Sequence, residues 1–77
     1  MKEFLEFMVK HLVDKPEEVQ VQEVEGEHVI LYELRVGEGD MGKVIGRRGQ
    51  HAHAIRTLLS AAATAQKKKR IVLEILE

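Results

Sequence analysis

The sequence predicts an α+β fold of two layers, with three helices on one face of a small three-stranded mixed sheet, and three observations predict it. Apolar residues recur at helical spacing near the N-terminus and again from Gln50 onward. They alternate with period two in residues 30–36 and 71–75, and the segments follow the order helix, strand, strand, helix, helix, strand. Seventy-seven residues support one small domain, read here as residues 1–77, and leave no room for a large enzyme fold.

Phe4, Leu5, Met8, Val9 and Leu12 define the apolar stripe of a first helix, which Asp14-Lys15-Pro16 ends because proline cannot continue it. Residues 19–24 are β-rich, but Val24 falls out of phase with Val19 and Val21, which predicts a bulge or an early end to the first strand. Gly26 between glutamates supplies a turn, and Ile30, Tyr32, Leu34 and Val36 alternate as the second strand, with Tyr32 on the core parity. Asp40 is placed to cap a short helix through Met41, Lys43, Val44 and Ile45. Gly46-Arg47-Arg48-Gly49 interrupts it, and Ala54, Ile55, Leu58, Leu59, Ala62 and Ala65 carry the longest helix. Lys67, Lys68, Lys69 and Arg70 fall at its C-terminal end, where cations complement the helix dipole, and Ile71, Leu73 and Ile75 form the closing strand. A helical crossover sets the last strand parallel to the second, whereas the hairpin sets the first two antiparallel, so the sheet is mixed.

Composition narrows the functional classes. The chain has no cysteine, which removes disulfides and Cys-based metal sites, and no 18-residue apolar run. Its first residues carry acids within the apolar stretch and read as a folded helix rather than a signal peptide, so a cytoplasmic protein is expected. Net charge is −1, yet residues 1–40 hold four basic and eleven acidic side chains, while residues 41–73 hold eight basic and no acidic ones. Such a distribution makes a local positive field, and the field decides where a polyanion lands.

The Gly46-Arg47-Arg48-Gly49 tetrapeptide lies in this acid-free half. Glycines leave peptide N–H groups unshielded, arginines offer planar donor forks to phosphate oxygens, and the start of the following helix adds partial positive charge. Val44-Ile45-Gly46-Arg47-Arg48-Gly49, followed six residues later by Ile55, resembles the signature of the KH RNA-binding domain. The motif joins two helices of a β-α-α-β unit that an extra helix and strand precede, which is similar to the type II arrangement. The whole chain resembles the bacterial KhpA family of stand-alone KH proteins.

That resemblance implies a non-catalytic module that clamps about four unpaired nucleotides against the Gly-x-x-Gly loop, with bases toward an apolar groove. Gly46 and Gly49 would then admit phosphates, Arg47 and Arg48 neutralise them, and Val44, Ile45 and Ile55 line or support the groove. Lys43, Gln50 and Arg56 are further candidates, and Lys67, Lys68 and Lys69 would strengthen binding without selecting sequence. The resemblance also implies an RNA chaperone or post-transcriptional regulator that pairs with a KhpB (EloR or Jag) protein and serves cell elongation and envelope homeostasis. Ala61, Ala62, Ala63 and Ala65 offer a close-packing surface, so a homodimer is expected, although the same alanines also suit internal packing. The rival reading is a protein-interaction module whose basic half docks an acidic partner.

No cofactor or metal is expected. Gly37-Glu38-Gly39-Asp40-Met41-Gly42 matches a dinucleotide pattern, but Glu38 and Asp40 would face a pyrophosphate. Val44 stands where a P-loop needs Ser or Thr. His51 and His53, two apart on a helix, point about 200° apart and share no metal. Either one at the helix start is within reach of RNA.

Overall fold

The computed structural model describes residues 1–66 and 69–77, with the side chains of residues 63–66 also outside the description. Helix α1 (Lys2–Lys10) is followed by strands β1 (Gln20–Glu25) and β2 (Val29–Arg35), helices α2 (Met41–Ile45) and α3 (Gln50–Gln66), and strand β3 (Arg70–Leu76). Short 3₁₀ turns at Pro16–Glu18 and Arg47–Gly49 complete the order. The strands lie β1-β2-β3, with β1 antiparallel and β3 parallel to β2, so the predicted α+β fold with a mixed sheet is the one observed.

Alternation along the strands sends one set of residues toward the helices. Val21, Ile30, Tyr32, Leu34 and Leu73 are buried there, Val21 opposite Leu34 and Tyr32 opposite Leu73. Leu5 and Val9 of α1 and Ile55 and Leu59 of α3 close over them, together with Val44 of α2. Helix α1 lies against β1 and α3 against β3. Each hydrophobic side chain removed from water in this layer contributes roughly 1.5–3 kcal/mol.

Three local expectations need correction. No bulge interrupts β1: its pairing with β2 runs without a break from Gln20–Arg35 to Glu25–Ile30. Val24 is out of phase because it belongs to the other sheet face, where it stands opposite Leu31 and is 46 % exposed. Helix α1 stops at Lys10, and Leu12 follows in a tightened turn in which its N–H donates to the Val9 carbonyl at 2.9 Å. Asp40 occupies the N-cap position of α2, but its side chain makes no cap bond. Its buried carboxylate instead accepts the N–H groups of Asp14 (3.3 Å) and Lys15 (3.0 Å), tying the α1–β1 connection to the start of α2.

Candidate nucleic-acid interface

The Gly-Arg-Arg-Gly loop is a single tight turn between α2 and α3, closed by the Gly49 N–H donating to the Gly46 carbonyl at 3.1 Å. Its backbone needs unusual conformations at three positions. Gly46 sits at φ 78°, ψ 172°, a region that is essentially glycine-only, and Gly49 at φ 74°. Arg48 lies between them at φ 56°, ψ 25°, left-handed despite its side chain. A left-handed residue after a right-handed one curls successive N–H groups toward one side, the geometry of an anion-binding nest. The amides of Arg47 and Arg48, inside the turn, have no turn carbonyl to reach.

The two glycines differ in their surroundings. A Cβ on Gly46 would lie 2.7 Å from Cγ and 2.9 Å from the backbone nitrogen of His51, whereas a Cβ on Gly49 would meet nothing within 4 Å. Gly46 is therefore required for both conformation and space, and Gly49 for conformation with an open approach above it.

Arg47, Arg48, Gln50 and Arg56 are exposed, and among the described residues none of the three arginines has a carboxylate within ion-pairing distance. Lys43 is placed differently: its Nζ lies 3.1 Å from Asp14 and 4.0 Å from Asp40, so part of its charge is already answered. Val44 is fully buried and Ile55 is 3 % exposed, so both support the site from the core, while Ile45 is half-buried beside the loop. Only the last two residues of the basic run are described, and neither is helical. Lys67 and Lys68 lie outside the described residues, Arg70 begins β3, and Lys69 Nζ is held by Glu25 Oε2 (2.7 Å) and the Gly26 carbonyl (2.8 Å). Lys69 thus fastens the α3–β3 connection to the β1–β2 turn.

Two features escaped the sequence. Between α1 and α3 runs an apolar groove of about 340 Å³, lined by Phe7, Met8, Leu12, Ala54 and Leu58 with Ile55 at its floor and His11 and His51 at its polar margin. Phe7 is 62 % and Leu58 48 % exposed, the sort of apolar surface that marks an interaction site. The signal was present in the first helix, where Phe4 and Phe7 cannot both face the core with Leu5 and Val9. The second feature is His51, whose Nδ1 lies 2.8 Å from the Lys43 carbonyl and whose ring covers Gly46.

Among the described residues no helix is long and apolar enough to cross a membrane. A family model described as KhpA/KhpB, KH domain matches residues 2–75 of this chain, which includes both helices of the loop, β1, β2 and all but the last residue of β3. The chain belongs to the KhpA/KhpB family of KH domains. It is 54 % identical to the RNA-binding protein KhpA of Chlamydia trachomatis serovar D over 77 residues, which cover all of this chain and 97 % of that one. Identity to the protein of that name from Clostridium perfringens is 55 % over 76 residues, 99 % of this chain and all of the other. For Borreliella burgdorferi it is 55 % over 75 residues, 97 % and 90 % of the two chains. No solved structure matches the chain significantly. The KhpA/KhpB KH domain is a binding module, and this member is not an enzyme.

Proposed function

We propose that the chain holds short single-stranded RNA by its sugar-phosphate backbone, with the Gly46–Gly49 turn as the phosphate cradle and Arg47 and Arg48 as the neutralising cations. The observation that carries this reading is the turn itself. Three of its four residues have positive φ, one of them an arginine; the Arg47 and Arg48 N–H groups make no backbone hydrogen bond among the described residues, and both side chains are exposed with no described acidic partner. A scaffold has no use for such a backbone, and the relatives' name, RNA-binding protein KhpA, supports the same reading. It also favours RNA over an acidic protein as the partner of the basic half. Phosphate contacts position the strand, so base preference is modest. Lys43, Gln50 and Arg56 flank the cradle, and Lys67 and Lys68 add general affinity.

Within this reading the chain works as one KH domain in the cytoplasm, as an RNA chaperone or post-transcriptional regulator in cell elongation and envelope homeostasis, alongside a KhpB (EloR or Jag) protein. The family name supports the KhpB link. Pairing with that protein or a second copy uses the exposed apolar strip of Phe7 and Leu58, with Ala61 exposed on α3 three residues after Leu58. Co-purification with and without nuclease separates direct partners from RNA-bridged ones.

The test of RNA binding is a titration of fluorescent single-stranded RNA with the wild type and Arg47→Asp/Arg48→Asp. The wild type should bind with log affinity falling by about 0.7 per neutralised phosphate per decade of salt. The folded double variant should lose binding. Equal binding by both proteins would refute the site.

A further inference from the structure

We propose that His51 is a positioning residue that holds the Gly-Arg-Arg-Gly turn in its RNA-competent shape by bridging the end of α2 to the start of α3; the proposal rests on the RNA-binding reading. Lys43 and His51 stand eight residues apart on either side of the turn, and the ring spans it, Nδ1 lying 2.8 Å from the Lys43 carbonyl oxygen. A carbonyl only accepts, so Nδ1 carries the proton and donates. The bond answers one of the carbonyls that every helix end leaves without an intrahelical donor. The neighbouring Gly42 carbonyl is taken by the Gly46 N–H at 2.9 Å, which leaves Lys43 to the histidine.

The ring also restricts Gly46. It occupies the space a Cβ would need, at 2.7 Å from Cγ and 2.9 Å from Nδ1, so the first glycine of the turn is packed between its own backbone and the imidazole. Left-handed conformations at non-glycine residues persist only where surrounding contacts over-determine them, and Arg48 is two residues from this packed position. Among the described residues the turn's remaining bonds are its own, Gly49 to Gly46 and Gln50 to Arg47. His51 therefore supplies the side-chain contact that fixes the turn's entry. Because the histidine is exposed, its loss leaves the Lys43 carbonyl to water and costs order at the turn rather than global stability.

The test compares His51→Ala, His51→Asn and His51→Gln in RNA titrations across a salt series, with thermal melts confirming that each is folded. Asparagine places its amide nitrogen where Nδ1 stands; glutamine places it one bond further out. If the competent turn is populated a tenth of the time without the brace, affinity falls about ten-fold. The expected result is that His51→Ala weakens binding by about three- to ten-fold at every salt concentration with an unchanged slope, that Asn recovers most of the loss, and that Gln does not. Wild-type affinity in His51→Ala would overturn the proposal. So would equal losses in Asn and Gln, or a slope reduced by one phosphate, which would make His51 an RNA contact. An RNA-free readout keeps the two readings separable: ¹⁵N NMR of the neutral imidazole should show His51 as the Nδ1–H tautomer, and His51→Ala should shift and broaden the Gly46 amide. Wild type that binds no RNA would refute the functional reading alone, whereas an Nε2–H tautomer at His51 would refute the brace.

Discussion

At the scale of single residues, the glycines and the tyrosine carry the sharpest consequences. Gly49→Ala meets open space and should fold with a cost of about 1–2 kcal/mol for its left-handed backbone. Gly46→Ala adds a collision with His51 to a conformation alanine rarely adopts, so urea denaturation should show a larger loss for Gly46→Ala than for Gly49→Ala. Tyr32 is fully buried, and its hydroxyl lies near Glu23, its cross-strand neighbour, without a good hydrogen bond among the described residues. Burial first, then the carboxylates of Glu23, Glu25 and Glu3, push its pKa up from 10.0 to about 12. A raised phenol pKa favours the folded state fully below pH 10, and that contribution disappears as pH rises through about 12, so the protein should lose stability across this alkaline window. With one tyrosine and no tryptophan, tyrosinate absorbance reports this group alone. Its midpoint should be near 12 in buffer and near 10 in concentrated urea.

At the scale of elements, what was legible in the sequence was what periodicity encodes. The stripe of Leu5 and Val9, the alternation of Ile30, Tyr32 and Leu34, and the Ile55–Leu59 spacing all specify buried faces, and the structure buries each one. Period alone does not say which face of a strand a valine serves, so Val24 looked like a defect when it was an outward residue in regular register. Nor could it show that Asp40, in a capping position, would reach across 25 residues to Lys15, because that contact depends on tertiary placement. Asp40→Ala should cost about 1.5–3 kcal/mol by leaving the Asp14 and Lys15 amides without their charged acceptor, measured by urea midpoint. Leu59→Ala, which empties a fully buried position where α3 meets the sheet layer, should cost about 2–5 kcal/mol in the same experiment.

At the scale of the whole molecule, the division of charge along the chain becomes a division in function. Acids of the first half answer part of the basic half, Asp14 at Lys43 and Glu25 at Lys69, and so spend those cations on holding connections together. Arg47, Arg48 and Arg56 are left exposed without described acidic partners, and they cluster in sequence around one turn. The motif was readable because glycine spacing and the absence of acids are properties of sequence. The groove between α1 and α3 was legible only as a spare phenylalanine on the first helix, since packing alone brings its two walls together, and the bridge from His51 to Lys43 depends on the conformation of the turn between them. Phosphate cradling by the turn is tested most directly by a ¹⁵N NMR titration with a four-nucleotide single-stranded RNA. The amides of Gly46, Arg47, Arg48 and Gly49 should shift most while Gly26, in the distant β1–β2 turn, stays in place. Shifts concentrated on the uncovered sheet face around Val24 and Leu31, with the turn unmoved, would contradict the cradle.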